Sequence, residues 1–475
     1  MPAHDGVRAT RAVVVMALLG VVYAALSRVA LRAFPFSGDE YSCLLQAEIF
    51  ARGLLHAPAP PHPELLRVDH VVMDAWVRTK YPPGTSALLA LGVRAGAAWL
   101  VTPIEAVVAL IAVWHTTRVH LGGRAAMAGL LVMGLSPLFA FQAATFFGHT
   151  PTTMWLALAF AATSRWFRTR GDGWSLLCGA AVGCAFLTRP GDAAFFAAAL
   201  LVFRSRRLIV AVALGASPFV VAYFAYQAAQ FGSPFADGYH AYEPTFRAIY
   251  HEGSGHPIAL RYLWDPKQQA NHLDELCALV QDWTVPGSVL VAIAGAFAIK
   301  KNHPARAMRD FAVAIAAVPV AVLFVAVADP DDGARPRYLS TTLIAIAFLV
   351  GPGWDAASNA LGTLVGARLA RLAPAVALVM APVQLGAFLG HRIPEIWTRE
   401  GLFQEVQALG IEQGVVVIRA DWPTRYARNG PFFDRPVLYL SADAETTVDQ
   451  IAAKYPGRPV YEATEGRRWK IVRRI

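Results

Sequence analysis

Residues 34–48 read FPFSGDEYSCLLQAE and follow directly on an apolar segment, 12–31, of span length. Asp39 and Glu40 stand side by side at the edge of that segment. Charge at a membrane edge is costly unless it is solvated, paired or used. The pair is either ordinary acidic punctuation at a span boundary or the centre of a site, and the surrounding sequence has to decide.

Composition sets the frame. Of 475 residues, 56% are hydrophobic and 16% charged, against about a quarter charged in soluble domains. Mean hydropathy is +0.42. The chain reads as an integral membrane protein. Its net charge of +9 does not point to nucleic acid, because the basic residues fall in short clusters between apolar runs. No nucleic-acid motif accompanies them. The four cysteines show no CxxC spacing for zinc. Cys178 and Cys184 share an apolar run and read as packing residues. Cys43 and Cys277 both fall in segments placed outside, which leaves a disulfide between them open.

A spanning helix needs about 20 mostly apolar residues. About eleven such runs centre on 12–31, 98–117, 125–143, 150–166, 174–188, 191–203, 208–229, 286–300, 310–328, 338–353 and 373–390. The first resembles a secretory signal, but its apolar part is longer than the usual signal core, so it reads as an uncleaved span. Arg8 and Arg11 precede the first run, Arg118 and Arg124 follow the second, and Arg165, Arg168 and Arg170 follow the fourth. Arg204, Arg206 and Arg207 follow the sixth, Lys300, Lys301, Arg306 and Arg309 the eighth, and Arg368 and Arg371 precede the last. All fall on one side of an alternating trace, which the positive-inside rule makes cytoplasmic. The expected protein is multi-pass in the cytoplasmic (inner) membrane, with the N-terminus inside and residues 32–97, 230–285, 329–337 and 391–475 outside.

The fold expected is an α-helical polytopic membrane module over 1–390 and a small external (periplasmic) α/β domain over 391–475. In the first external loop, 40–53 and 84–97 read as amphipathic helices lying in the interface. The proline-rich LLHAPAPPHPELL (54–66) separates them. In the C-terminal region GVVVIRA (414–420), PVLYLSA (436–442), RPVYEAT (458–464) and RRWKIVRR (467–474) read as strands, and TTVDQIAAKY (446–455) as a helix.

Chemistry-bearing residues gather on the external side of this trace. A carboxylate such as Asp39 or Glu40 can take a proton from an attacking hydroxyl, and an acid pair can hold a hard divalent cation. Metal use stays open, and no cofactor is otherwise indicated. Lys80 and Tyr81 precede Pro82 and Pro83 in RTKYPPGTSALLALG (78–92), a break at which a lysine can meet a phosphate. Arg189 in FLTRPGDAA (186–194) and Arg337 in DPDDGARPRYLS (329–340) are basic residues on the wrong side for the positive-inside rule. An arginine fork suits phosphate bidentately; pairing with Asp192, or with Asp329, Asp331 and Asp332, is the structural alternative. His149 in TFFGHTPTT (145–153) sits at an external turn. The histidines of 56–70 and 240–256 show no ligand spacing.

FSGDEYSCLLQAEIFARG, KYPPGTSALLALG, FGHTPTTMWLALA, LTRPGD and GARPRYLSTTL, in that order and on that side, resemble the GT-C class of membrane glycosyltransferases. The likeness is to the branch that includes aminoarabinose transferases and protein O-mannosyltransferases, and it covers roughly 10–350. The resemblance implies a polyprenyl-phosphate-linked sugar as donor, inversion at the anomeric carbon, and a glycolipid, polysaccharide or protein as acceptor at the bilayer surface. It implies Asp39 as general base with Glu40 in support, and Lys80, Arg337 and Arg189 as contacts to the donor phosphate. Tyr81, His149 and Tyr338 would meet the acceptor or support the site. A lipid phosphate leaves as an anion, so cations matter more than a general acid. The Gly-rich signature of nucleotide-sugar enzymes is missing. The family's second acidic pair has two candidates here, Asp274–Glu275 and Asp331–Asp332. A transporter or flippase of polyprenyl-linked lipid would share spans and cations, but would more often show inverted repeats or charges deep in its spans. A non-catalytic assembly subunit would leave Asp39 dispensable.

Overall fold

The computed structural model describes residues 2–250, 266–326, 335–365, 373–442, 445–466 and 469–474. The helices in chain order are α1 (Pro2–Ala25), α2 (Gly38–Ala51), α3 (Pro83–Arg94), α4 (Val101–Leu135), α5 (Pro137–Ala143), α6 (His149–Thr169), α7 (Asp172–Thr188) and α8 (Pro190–Ala199). They continue as α9 (Arg206–Phe231), α10 (Gly238–Tyr250), α11 (Pro266–Ala278), α12 (Ser288–Ala298), α13 (Arg306–Ala326), α14 (Thr342–Val365), α15 (Ala373–Ala408) and α16 (Val448–Lys454). Of the expected acid pairs, Asp331–Asp332 lies outside the described residues.

Within the described residues each of the apolar runs falls mainly on helix. The runs 98–117 and 125–143 are divided by Gly122, whose φ of 85° and ψ of 170° break α4 in two. The second ends early, because Pro137 opens the separate helix α5. Among the described residues three stretches, Ala9–Ala30, Ala98–Leu135 and Arg206–Phe231, are by themselves long and apolar enough to cross a membrane. The pair Gln269–Trp283 and Ser288–Ala298 passes only together, bent by 98°. Lipid-facing character shows on the outer faces: Val13, Leu18 and Val21 on α1, Val210, Leu214 and Val221 on α9, and Val376, Val379 and Val383 on α15 are exposed apolar side chains.

The segments expected outside form a second layer. α2 and α3 appear where amphipathic helices are expected. Between them lies a small antiparallel sheet that the proline-rich sequence does not announce: β1 (Ala57–Pro58), β2 (Val71–Met73) and β3 (Trp76–Thr79), in the order β1-β3-β2, with Val77 opposite both Ala57 and Met73. The C-terminal sheet contains β4 (Gly414–Arg419), β5 (Val437–Leu440), β6 (Val460–Thr464) and β7 (Lys470–Arg473). Its order is β5-β4-β6-β7, parallel except for β7. The strand–helix reading of this region is therefore matched element for element.

Two features differ from the expected organisation. The boundary at 390/391 falls inside the continuous helix α15. The C-terminal sheet also has no core of its own. Its Val415, Val417, Leu438 and Val460 pack in one cluster with Tyr41, Leu45 and Ile49 of α2 and with Leu402 and Val406 of α15. Tyr41, Leu45 and Ile49 recur every four residues, so they line one stripe of α2. The adjoining stripe, Cys43 and Ala47, packs on Leu89 and Ala90 of α3. Cys43 is buried there and Cys277 is exposed on α11; both are free thiols.

Candidate active site

Ser37 starts α2. Its hydroxyl accepts the Glu40 N–H, and the Glu40 carboxylate accepts the Ser37 N–H at 3.3 Å, a complete capping box. This assigns the two acids different jobs. Glu40 is fully buried, and its second oxygen accepts the Phe146 N–H at 2.9 Å, which ties the α5–α6 turn to α2. Burial pushes its carboxyl up to about 7, against these hydrogen bonds. Glu40 therefore does not share an open face with Asp39. Asp39, one residue earlier, keeps a partly exposed carboxylate in the first turn, where the helix dipole favours a negative charge.

Around Asp39 three side chains converge. Arg337 donates from Nη1 to Oδ2 at 3.0 Å. The Tyr81 hydroxyl donates to Oδ1. His70 Nε2 stands 3.6 Å from the same oxygen. Burial alone would raise the Asp39 carboxyl, but Arg337, His70, Tyr81 and Lys80 together hold it well below the usual carboxylate range. His70 adopts a left-handed backbone, φ 65°, rare for a residue with a side chain and often found at functional sites. Burial holds its imidazole down at about 4, so it is neutral near pH 7 and its contact with Asp39 is no ion pair.

Lys80 follows β3, and its N–H donates to the His70 carbonyl at 3.1 Å. Its ammonium lies over the rings of Tyr81, Tyr239 and Tyr242, at 5.3, 4.6 and 4.9 Å from their centroids. The two outer tyrosines come from α10, which approaches so closely that any side chain at Gly238 would collide with the Lys80 carbonyl. Burial lowers the ammonium to about 8, although Asp39 and Asp69 pull the other way.

The remaining expected residues form the opposite wall. Arg337 and Arg189 each lie 5.4 Å from the Tyr338 ring. Arg189 is already engaged, donating to Asp192 at 2.5 Å. His149 is 4% exposed, its ring packs on Phe147 and Tyr338, and neither of its nitrogens makes a hydrogen bond. Thus Asp39, Lys80, Tyr81 and Arg337 come together directly, and Arg189, His149 and Tyr338 adjoin them. No group of three or more metal-binding side chains gathers among the described residues, and Glu40 is not placed to share a cation with Asp39. His70, Tyr239 and Tyr242 belong to the site without having stood out in the sequence. The one available signal for separating the two acids was SGDE (37–40) itself, a Ser-x-x-Glu capping pattern.

A basic, tyrosine-rich cluster around one ionised carboxylate, carried on helices beside the apolar ones, is what the resemblance to the GT-C class implies. Residues 82–226 match the family model described as dolichyl-phosphate-mannose-protein mannosyltransferase. The chain shares the fold of ArnT from Cupriavidus metallidurans, solved with undecaprenyl phosphate. Identity is 15%, the match covers 95% of this chain and 92% of that one, and the TM-score is 0.62. ArnT in the apo state matches at 16% identity over 96% and 93%, with a TM-score of 0.57. The resemblance to GT-C glycosyltransferases thus stands on a segment match and on a common fold. No curated protein matches the sequence.

Proposed function

We propose that the chain is an inverting glycosyltransferase that moves a sugar from a polyprenyl-phosphate donor to a hydroxyl acceptor on the external face of the membrane. In this reading the apolar runs make about eleven crossings, the N-terminus is cytoplasmic, and the recess opens outward beside the lipid. The observation that carries the proposal is the Asp39 cluster: one ionised carboxylate with Arg337 on it and Lys80 beside it.

The chemistry follows from the charges. The donor phosphate enters among Lys80 and Arg337, with Arg189 at the edge. An acceptor hydroxyl, held against Asp39, attacks the anomeric carbon from the face opposite the phosphate. Its C–O bond forms as the sugar–phosphate bond breaks, and its proton passes to Asp39. The configuration inverts, and the lipid phosphate departs as an anion stabilised by the cations. A carboxylate held this low is a weak base while Arg337 is its partner. An arriving phosphate offers Arg337 a second anion and leaves Asp39 more basic at the moment it is needed. Glu40 shapes the helix end and takes no part in proton transfer.

The test is release of free polyprenyl phosphate by purified protein given a panel of polyprenyl-phosphate sugars and an envelope-lipid acceptor. Asp39→Asn keeps shape but removes the base, and is expected to lower turnover at least a hundredfold with unchanged thermal unfolding. Undiminished turnover would overturn the assignment and favour an assembly role.

A further inference from the structure

Two charged side chains near Asp39 are buried with polar atoms that make no hydrogen bond. Asp69 is 4% exposed, and its Oδ1 makes no hydrogen bond. Arg428 is 6% exposed, and none of its three guanidinium nitrogens finds an acceptor. The first comes from the external loop, next to His70. The second comes from the C-terminal domain and lies 4.6 Å from the Tyr41 ring. Arg428 senses the charges of Asp69 and Glu40, yet no ion pair joins it to either among the described residues. A buried guanidinium without acceptors is costly, and a buried carboxylate oxygen without a donor adds to the cost.

The chemistry of what would complete both groups is narrow. An anion would satisfy Arg428 but be repelled by Asp69, and a cation the reverse. A hydroxyl accepts from the guanidinium and donates to the carboxylate. Neighbouring hydroxyls on one sugar ring can serve both at once. The location fits: Asp69 abuts the start of α2, where a Cβ at Gly38 would lie 2.6 Å from the Asp69 Cβ, and Asp39 is the next residue.

We propose that Asp69 and Arg428 form a subsite for sugar hydroxyls adjoining Asp39, so that the C-terminal domain contributes a substrate-binding residue. This rests on the glycosyltransferase reading above. The hydroxyls belong either to the transferred sugar or to a sugar on the acceptor, and kinetics separates the two.

The experiment uses full-length protein in detergent, with Asp69→Asn, Arg428→Gln and Arg428→Lys. Undecaprenyl phosphate alone, which carries no sugar, is the control ligand, read by its shift of thermal unfolding. Both charge-removing variants are expected to bind it as wild type does and to raise one sugar-bearing substrate's KM tenfold or more. Arg428→Lys should lie between, because it keeps the charge and loses the fork. A higher donor KM assigns the hydroxyls to the transferred sugar, and a higher acceptor KM to the acceptor. The subsite is overturned if neither KM moves, in which case buried water completes the pair, or if undecaprenyl phosphate binding falls in parallel, in which case the pair is only structural. A wild-type chain that transfers no sugar from any donor marks failure of the transferase reading instead, and the subsite falls with it.

Discussion

Lys80 sits among three aromatic rings, and burial brings its ammonium down to about 8 from 10.5. The folded chain gives up this proton before the unfolded chain does. Stability therefore rises as pH climbs from about 8 towards 10.5, while a phosphate at Lys80 loses its cation over the same window. Donor KM is expected to be flat below pH 7.5 and to rise by up to about tenfold per pH unit above 8. Lys80→Arg, which stays charged, should flatten the profile, and a profile that Lys80→Arg leaves unchanged would remove Lys80 from the phosphate site. Asp39 and Arg337 were legible in the sequence because each breaks a rule of membrane composition, an acid at a span edge and an arginine on the wrong face. His70, Tyr239 and Tyr242 break none. A histidine in a proline-rich loop and tyrosines on an amphipathic helix acquire meaning only when Lys80 folds between them.

α2 is the element that turns sequence into site. Its capping box fixes where the helix starts and so which way Asp39 points, while one stripe is held by α3 and the other by the C-terminal domain. On that second stripe the Tyr41 hydroxyl donates to the Asn429 carbonyl, and the Asn429 side chain is itself bonded to both backbone groups of Tyr439. Glu40→Gln keeps one of the two acceptor oxygens, enough for the Ser37 or the Phe146 N–H but not both, and is expected to cost less than Glu40→Ala. Glu40→Ala removes the reciprocal half of the capping box and strands the Phe146 N–H, and should lower stability by about 1–2 kcal/mol. Thermal unfolding of the two variants decides it; equal losses would mean that the charge matters rather than the hydrogen bonds. The small sheet of 57–79 was the least legible element. Its strands are two to four residues long, too short for an alternating pattern.

At the scale of the molecule the layer built on α2 and the C-terminal sheet is one body made from both ends of the chain. Besides the shared core, Ser441 bonds the Leu65 and Arg67 carbonyls, Lys454 pairs with Glu64, Arg32 with Glu400, and Arg399 donates to the Phe36 carbonyl at 2.5 Å. A chain cut after residue 409 is expected to lose protection of residues 54–82, not merely a peripheral lobe. Limited proteolysis in detergent reads this directly, and an undisturbed loop would show that the C-terminal domain is an independent module. Composition revealed that the C-terminal residues differ from the membrane part. It did not reveal that α15 runs unbroken from one to the other, since a helix crossing an interface changes its surface without changing its backbone.

The order of synthesis gives that shared core a further meaning. Tyr41, Leu45 and Ile49 emerge early, and the strands that cover them, up to Val460, emerge last. At about 5–20 residues per second α2 waits on the order of 20–80 s for the apolar side chains that cover it. During that interval α3 alone packs on α2, so Asp39 meets its cations with one of its helix's two supports still missing. Completion of the polypeptide is in this sense the last step in building the Asp39 cluster, and a ribosome that stops short leaves a membrane protein with its apolar helices but only half of that support.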